Sequence, residues 1–210
     1  RTLRAVKNRF GPTHELGIFT MGERGMEEVA NPSAAFLNER QLGTPGSAVV
    51  AVMEGTRALL AEVQALVTPA APFGAPRRNA NGVDVRRVAH VLAVLEKRCH
   101  LPMGQQDVFI HVPGGLKAIE PATDLAIALA VASSYRDAAI DPAVACFGEV
   151  GLTGEVRTVS HADRRVLEAA RQGFATCLLP PGKAPAAKKT NLRCAPVQNL
   201  EQAFSVAMGK

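Results

Sequence analysis

Four arginines lie close together in this chain of 210 residues, at Arg77, Arg78, Arg86 and Arg87. A guanidinium can bind a phosphate through two parallel hydrogen bonds, and it does so without reading base sequence. The formal net charge of +5 is compatible with a polyanionic partner. We therefore predict that these arginines contact DNA phosphates, with Lys117 as a further contact. The alternatives are solubility or salt bridges to a neighbouring subunit.

A second pair of cations lies near the start of the chain. Lys7 and Arg9 flank Asn8 in a segment of turn composition that runs on through Phe10 and Gly11. Charged residues in a turn are most often solvated surface. Composition alone therefore assigns this pair no role.

Other kinds of site find little support. No phosphate-binding G-x-x-x-x-G-K-[ST] motif occurs, and the histidines lack metal-ligand spacing. No signal peptide or membrane-length apolar run is visible, which predicts a cytoplasmic protein. The widely spaced cysteines predict buried thiols in a reducing compartment: Cys99, Cys146, Cys177 and Cys194.

The elements that must position the candidate residues centre on residues 106–159. Val108, Ile110 and Val112 alternate with Phe109 and His111, which predicts a strand. The stretch Asp124–Ser133 is apolar on all sides and predicts a buried helix, with Thr123 as its N-cap. Two strands of a hairpin are predicted on either side of Thr153-Gly154: Ala143–Leu152 and Glu155–Val159.

The flanking patterns complete an α/β (α+β) fold of two layers. On the N-terminal side they predict a hairpin of Ala48–Met53 and Ala58–Val67, followed by a long loop Thr68–Gly82. A helix is predicted from Asp84 to about Arg98. Its apolar stripe consists of Val85, Val88, Ala89, Leu92 and Leu95. On the C-terminal side they predict a helix Asp163–Gln172, a strand Phe174–Leu179, a short helix Ala184–Lys189, a strand Leu192–Val197 and a helix Leu200–Met208. Residues 1–46 contain the strand-like runs Thr2–Lys7 and Glu15–Met21 and a short helix capped by Asn31 or Ser33. This segment is too short and too polar to fold alone.

The order of strand, buried helix and hairpin resembles the proteolytic domain of the Lon protease family. In that family a Pro-Ser-Ala-Gly motif carries the nucleophile, and a Gly-Gly-hydrophobic-Lys segment carries the catalytic lysine. The resemblance aligns these motifs with Pro121-Ala122-Thr123-Asp124 and Ser160-His161-Ala162-Asp163. Ala122 stands at the serine position and Asp163 at the lysine position, so the hydroxyl and amine of a Ser–Lys dyad are missing. The implied fold is Lon-protease-like (ribosomal protein S5 domain 2-like), without catalytic residues.

The motifs KNRFG (residues 7–11), ELGIFTM, GMEEVANPSAAFL and GSAVVAVMEGTRALLAEVQALV resemble the bacterial RadA (Sms) family over essentially the whole chain. In that family a zinc finger and a RecA-like ATPase core precede a Lon-like domain. The resemblance implies that residues 1–46 are the C-terminal remnant of the RecA-like core and that residues 47–210 are the Lon-like domain. The sequence opens on Arg1, so we expect a piece of a longer protein.

The resemblance also implies a function. It implies that the chain is the DNA-binding and ring-forming module of an ATP-dependent protein. That protein would form a hexamer, repair DNA damage and promote branch migration during recombination. Lys7, Asn8, Arg9, Phe10 and Gly11 would act in trans on a neighbour's nucleotide or on DNA, as an arginine finger does.

The implied partners are single-stranded or branched DNA, further copies of the chain and a recombinase, and no membrane. ATP, Mg and Zn are implied for the whole protein, with no cofactor and no enzymatic activity in this part alone. Two alternatives stay open: a pure oligomerisation scaffold, and a residual peptidase with Thr123 as nucleophile and Lys117 as base.

Overall fold

A computed structural model describes residues 2–4, 16–22, 25–182 and 190–209. The strands are β1 (Thr2–Arg4), β2 (Leu16–Gly22), β3 (Gly25–Glu28), β4 (Ser47–Glu54), β5 (Arg57–Pro69), β6 (Arg78–Asn81), β7 (Gln106–His111), β8 (Val144–Cys146), β9 (Glu149–Val150), β10 (Val156–Arg157), β11 (Thr176–Leu179) and β12 (Arg193–Pro196). The α-helices are α1 (Pro32–Leu37), α2 (Val85–Cys99), α3 (Asp124–Arg136), α4 (Ala162–Arg171) and α5 (Leu200–Met208).

Seven strands form one mixed sheet in the order β12-β11-β8-β4-β5-β7-β6. The predicted hairpin is confirmed: β4 and β5 pair antiparallel with Glu54 opposite Arg57. Strands β8, β11 and β12 continue the sheet on one side in parallel with β4. Strand β7 extends it on the other side, antiparallel to β5. The N-terminal β1, β2 and β3 form a separate antiparallel sheet.

Helices α2, α3 and α5 cover one face of the large sheet. The predicted buried helix is confirmed as α3, whose residues from Asp124 to Ser133 are all buried. The α2 stripe is confirmed at Val88, Leu92 and Leu95, whereas Val85 and Ala89 are exposed. The Asp84 carboxylate caps α2 by accepting the Arg86 N–H at 2.8 Å.

Helices α1 and α4 lie on the other face, so the expectation of two layers is wrong. Leu60 of β5 and Val49 of β4 belong to a second apolar cluster that includes Val166 and Ala169 of α4. Helix α1 begins at Pro32 and is capped by the Asn31 side chain, which accepts the Ala34 N–H at 3.2 Å. Among the described residues, α1 and α4 cover only part of this face, and a cleft remains at the β5–β7–β6 end of the sheet.

The predicted loop Thr68–Gly82 contains a strand. Residues 78–81 form β6, which pairs in parallel with β7 at the edge of the sheet. Its sequence, Arg-Asn-Ala-Asn, lacks β-branched residues and apolar alternation, which are the usual strand signals. An edge strand with an open face needs neither, because little of it packs against the core.

The predicted strand Ala143–Leu152 is broken at Gly148. There the chain leaves the sheet and bonds to the start of α3: Gly148 N–H donates to Ala122 O at 2.9 Å, and Leu125 N–H donates to Gly148 O at 3.1 Å. A Cβ on Gly148 would lie 2.7 Å from Val156 Cγ1, so only glycine fits. The hairpin after the break survives as the short β9–β10 ladder.

The remaining elements agree with the predictions for α4, β11, β12 and α5 to within a few residues. The predicted helix Ala184–Lys189 lies outside the described residues. Within the described ranges, no helix is both long and apolar enough to cross a membrane.

Candidate functional site

The serine and lysine positions of the Lon-type motifs come together in the fold without the chemistry of a dyad. Ala122 lies in a 3-10 turn, Pro121–Thr123, and is 1% exposed. It belongs to the apolar cluster that includes Val166 of α4, and Asp163 lies in the first turn of the same helix. The two segments therefore adjoin, but they carry a methyl group and a carboxylate in place of a hydroxyl and an amine.

A buried ion pair joins these segments. The Arg165 guanidinium donates to both carboxylate oxygens of Glu120, from Nη1 to Oε1 at 2.8 Å and from Nη2 to Oε2 at 2.6 Å. It also donates to the carbonyls of Ala51 at 2.5 Å and Ser160 at 3.0 Å. Glu120 Oε1 accepts the Met53 N–H at 2.6 Å.

The environment of Arg165 makes this pair a structural group. Its side chain is fully buried, and its Cζ lies 5.7 Å from the centroid of the Phe147 ring. A buried guanidinium is tolerated only when its charge is paired and its donors are satisfied. Here one side chain connects α4, β4 and the turn before α3, at the position where the Lon-type dyad would act.

Thr123 does not cap α3, contrary to the prediction. Its backbone is helical, at φ −80° and ψ −17°, and its side chain makes no cap hydrogen bond. The start of α3 is satisfied instead by the Gly148 carbonyl. Thr123 Oγ1 is buried without a hydrogen-bond partner among the described residues, whereas Lys117 is exposed. The geometry gives no support to a Thr123–Lys117 nucleophile and base.

The predicted arginines divide into two pairs at opposite ends of β6, which spans about 10 Å at ~3.3 Å per residue. At the first end, Arg77 donates from its backbone N–H and from Nε to Asp107, at 2.7 Å each. Those two hydrogen bonds lower the pKa of Asp107. Arg78 donates to the carbonyls of Gln106 and Met103. Both guanidiniums therefore help to hold β6 to its surroundings.

At the second end, Arg87 is committed to a carboxylate of its own chain. It donates from Nε to Asp124 Oδ1 at 2.7 Å and from Nη2 to Oδ2 at 2.5 Å. These hydrogen bonds raise the pKa of Arg87. Asp124 also accepts the Val150 N–H at 3.1 Å, so the pair ties α2 to α3 and β9.

Arg86 and Lys117 are exposed at the same end of α2. The Ala118 N–H donates to Gly82 O at 2.7 Å, which places the segment carrying Lys117 beside the start of the helix. Arg86 lies in the first turn of that helix. Of the five predicted DNA contacts, these two are exposed cations on neighbouring segments that no described residue holds in an ion pair.

One polar network was not predicted from the sequence. The buried Ser33 hydroxyl donates to Glu168 at 2.5 Å and accepts the Leu60 N–H at 3.0 Å. Asn31 and Gln172 exchange hydrogen bonds of 2.8 and 3.1 Å. Burial opposes ionisation of Glu168, but hydrogen bonds from Arg171, Ser33 and Gln172 outweigh it and lower its pKa. The network fixes α1 to α4 and β5; the only signal in the sequence is the Asn-Pro-Ser motif itself.

The cysteines are free thiols. Cys146 and Cys177 are buried as predicted, whereas Cys99 and Cys194 are half-buried. Burial raises the pKa of Cys146 and of Cys177, which makes both thiols unreactive. The KNRFG residues Lys7, Asn8, Arg9, Phe10 and Gly11 lie outside the described residues.

The mixed sheet, the buried helix after a Pro-Ala-Thr turn and the α4 segment beside it define a class of fold. A sequence model of the Lon protease (S16) C-terminal proteolytic domain matches residues 87–210. The chain belongs to this family.

Relatives over the whole chain confirm the second resemblance. The chain is 50% identical over 210 residues to the DNA repair protein RadA of Bacillus subtilis (strain 168), covering 100% of this chain and 46% of that protein. It is 54% identical over 180 residues to the DNA repair protein RadA of Halalkalibacterium halodurans, covering 86% of this chain and 39% of that protein. For the DNA repair protein RadA of Synechocystis the identity is 44% over 208 residues, or 99% and 41% of the two chains. The chain thus spans less than half the length of these relatives.

Proposed function

We propose that this chain is the DNA-binding and ring-forming module of a RadA-type protein of DNA repair and recombination. Its similarity to proteins named DNA repair protein RadA supports this role. In this proposal residues 1–46 are the remnant of a RecA-like core and residues 47–210 are the Lon-like domain. The whole protein assembles as a hexamer, uses ATP, Mg and Zn, works with a recombinase and promotes branch migration. Lys7–Gly11 act in trans on nucleotide or DNA.

The observation that supports the DNA contact is that Arg86 and Lys117 are exposed cations on neighbouring segments near the start of α2. Both side chains are exposed, and neither forms an ion pair with another described residue, so they can bind phosphates without first breaking such a pair. Arg77 is exposed but bound to Asp107, and Arg78 is bound to backbone carbonyls. Arg87 is paired with Asp124. These three arginines contribute mainly by positioning the surface and by adding to its potential.

The scaffold remains the second candidate, because Arg77, Arg78 and Arg87 all have partners inside the chain. In that reading the exposed cations serve contacts between subunits. A residual peptidase is the weakest candidate, since Ala122 and Asp163 supply no dyad and Thr123 is buried away from the exposed Lys117.

Replacing Arg86 and Lys117 by alanine separates the first two functions. If they contact DNA, duplex binding weakens at fixed salt while the oligomeric state in sedimentation is unchanged. If they serve a scaffold, assembly is disrupted and DNA affinity per subunit is unaltered. Lys97 and Arg193, two exposed cations elsewhere on the chain, give a control double variant with the same change of charge.

A further inference from the structure

The open end of the large sheet forms a cleft of about 610 Å³. Residues 39–46, which follow α1, make one wall of it. Its floor consists of side chains from β5, β7 and β6: Gln64, Leu66, Phe109, His111, Asn79 and Asn81. None of the five predicted DNA contacts lines this cleft directly.

Strand register arranges the floor in rows across the three strands. Gln64 lies opposite His111, and His111 lies opposite Asn81. In the next row Leu66 lies opposite Phe109, and Phe109 lies opposite Asn79. Successive rows on one face are two residues apart, or about 7 Å. The face therefore presents amide groups beside an apolar and aromatic centre.

A third row adds a guanidinium to this centre. Arg77 Cζ lies 5.4 Å from the centroid of the Phe109 ring. Its side chain is 72% exposed, while its partner Asp107 is 3% exposed. The buried carboxylate thus fixes an accessible guanidinium beside an aromatic ring. Arginine planes and aromatic rings are the side chains on which unpaired bases stack.

The size and polarity of the cleft suit a planar, polar ligand. A volume of about 610 Å³ lies within the range of small-molecule sites. Each Asn or Gln side chain carries donor and acceptor groups together. The edge of a base presents such groups side by side.

We propose that this cleft binds unpaired nucleobases, with stacking at Phe109 and Arg77 and edge contacts to Asn79 and Asn81. The inference rests on the proposed DNA-binding function and assigns a second contact to it. Two carboxylates, Glu39 and Glu62, also line the cleft, so the proposal places the phosphates away from them, toward the Arg77 end of the floor. Binding at the cleft is therefore driven by bases, in contrast to the phosphate contacts at Arg86 and Lys117.

The test compares two fluorescent single strands with the same number of phosphates, an oligothymidine and an abasic oligomer. The 210-residue chain should bind the oligothymidine at least about fivefold more tightly, given the usual strength of base stacking. Asn79→Ala and Phe109→Ala should each remove most of that difference. Asn79 is exposed, so its variant tests the cleft even if loss of the half-buried Phe109 impairs folding. Asn191→Ala, at an exposed position near β12 at the far edge of the sheet, should have no effect.

Competition with thymidine monophosphate shows whether the cleft binds a free nucleotide or a base within a single strand. If the mononucleotide binds in an Asn79-dependent way and the oligomer binds no better, the cleft is a nucleotide site; if the oligomer gains affinity, it is a single-strand site. Equal binding of abasic and thymidine oligomers overturns the inference. So does an Asn79→Ala effect on self-association alone. Duplex binding that still depends on Arg86 and Lys117 would then leave the proposed function standing.

Discussion

Arg165 and Glu120 form a bidentate ion pair, at 2.8 and 2.6 Å, beside the site where a Lon-type dyad would act. The pair joins the segment that would carry the nucleophile to the helix that would carry the lysine. Because Arg165 is fully buried, its charge depends on Glu120 for compensation.

Glu120→Ala should therefore destabilise the fold strongly. Removing one partner of a buried ion pair leaves an uncompensated charge and typically costs about 3–5 kcal/mol. Because the Glu120 side chain is 25% exposed, we expect a loss in the free energy of unfolding near the lower end of this range. Urea denaturation measures the free energy of unfolding. Glu27→Ala, at an exposed strand position, is the control and should change it by less than about 0.5 kcal/mol. A Glu120 variant as stable as the control would show that water replaces the carboxylate.

The chain should cleave no peptide bond. Ala122 and Asp163 provide neither nucleophile nor base, so unfolded casein should stay intact and an active-serine probe should label nothing. Ala122→Ser alone should not restore activity, because the amine is still missing. Turnover that disappears in Thr123→Ala would contradict this prediction and support the residual peptidase.

Acid should weaken the contact between Arg77 and Asp107. Backbone and side-chain hydrogen bonds from Arg77 lower the pKa of Asp107 below its unfolded value, which is about 3.9. A lowered folded pKa means that the stabilisation is present above about pH 4 and is lost as the pH falls through the folded value.

Asp107→Asn should thus reduce the free energy of unfolding at pH 6, and its deficit relative to the parent chain should shrink below about pH 4. Urea denaturation at several pH values measures that deficit. Asn191→Ala, at an exposed position, changes no ionisable group and should show a difference that does not vary with pH. A constant deficit for Asp107→Asn would mean that the carboxylate charge does not contribute.

The chain should assemble into closed rings, as the hexamer of the proposal requires. Copies that meet through two different surfaces generate rings when the rotation closes. Analytical ultracentrifugation over a range of concentrations should show one large species of fixed size, without a series of open oligomers that grows with concentration. Monomer alone at the highest concentration would contradict this expectation.

The sequence predicted elements where apolar patterns are strong. Helix α3 and the β4–β5 hairpin consist of long apolar runs, so their type and bounds were predictable. Strand β6 was missed because Arg78-Asn79-Ala80-Asn81 carries polar side chains at a sheet edge. The break at Gly148 was missed because it follows from hydrogen bonds to Ala122 and Leu125, which are distant in sequence.

The site was less predictable than the fold. The absence of a dyad followed from Ala122 and Asp163 once the motifs were aligned. A buried arginine, by contrast, is indistinguishable in sequence from a surface one, and the partner of Arg165 lies 45 residues away. Similarly, Arg87 was predicted as a phosphate contact because nothing local shows that Asp124 would meet it. Burial and pairing depend on the tertiary contacts that local patterns do not contain.

The salt dependence of duplex DNA binding measures how many phosphates the chain contacts. Each phosphate contact contributes about 0.9 to the slope of log affinity against log salt. Arg86→Ala/Lys117→Ala should therefore flatten the slope by up to about 1.8, equally for unrelated sequences, while the control Lys97→Ala/Arg193→Ala leaves it unchanged. An unchanged slope in the first double variant, or an equal loss in both, would show that Arg86 and Lys117 are not the DNA contact.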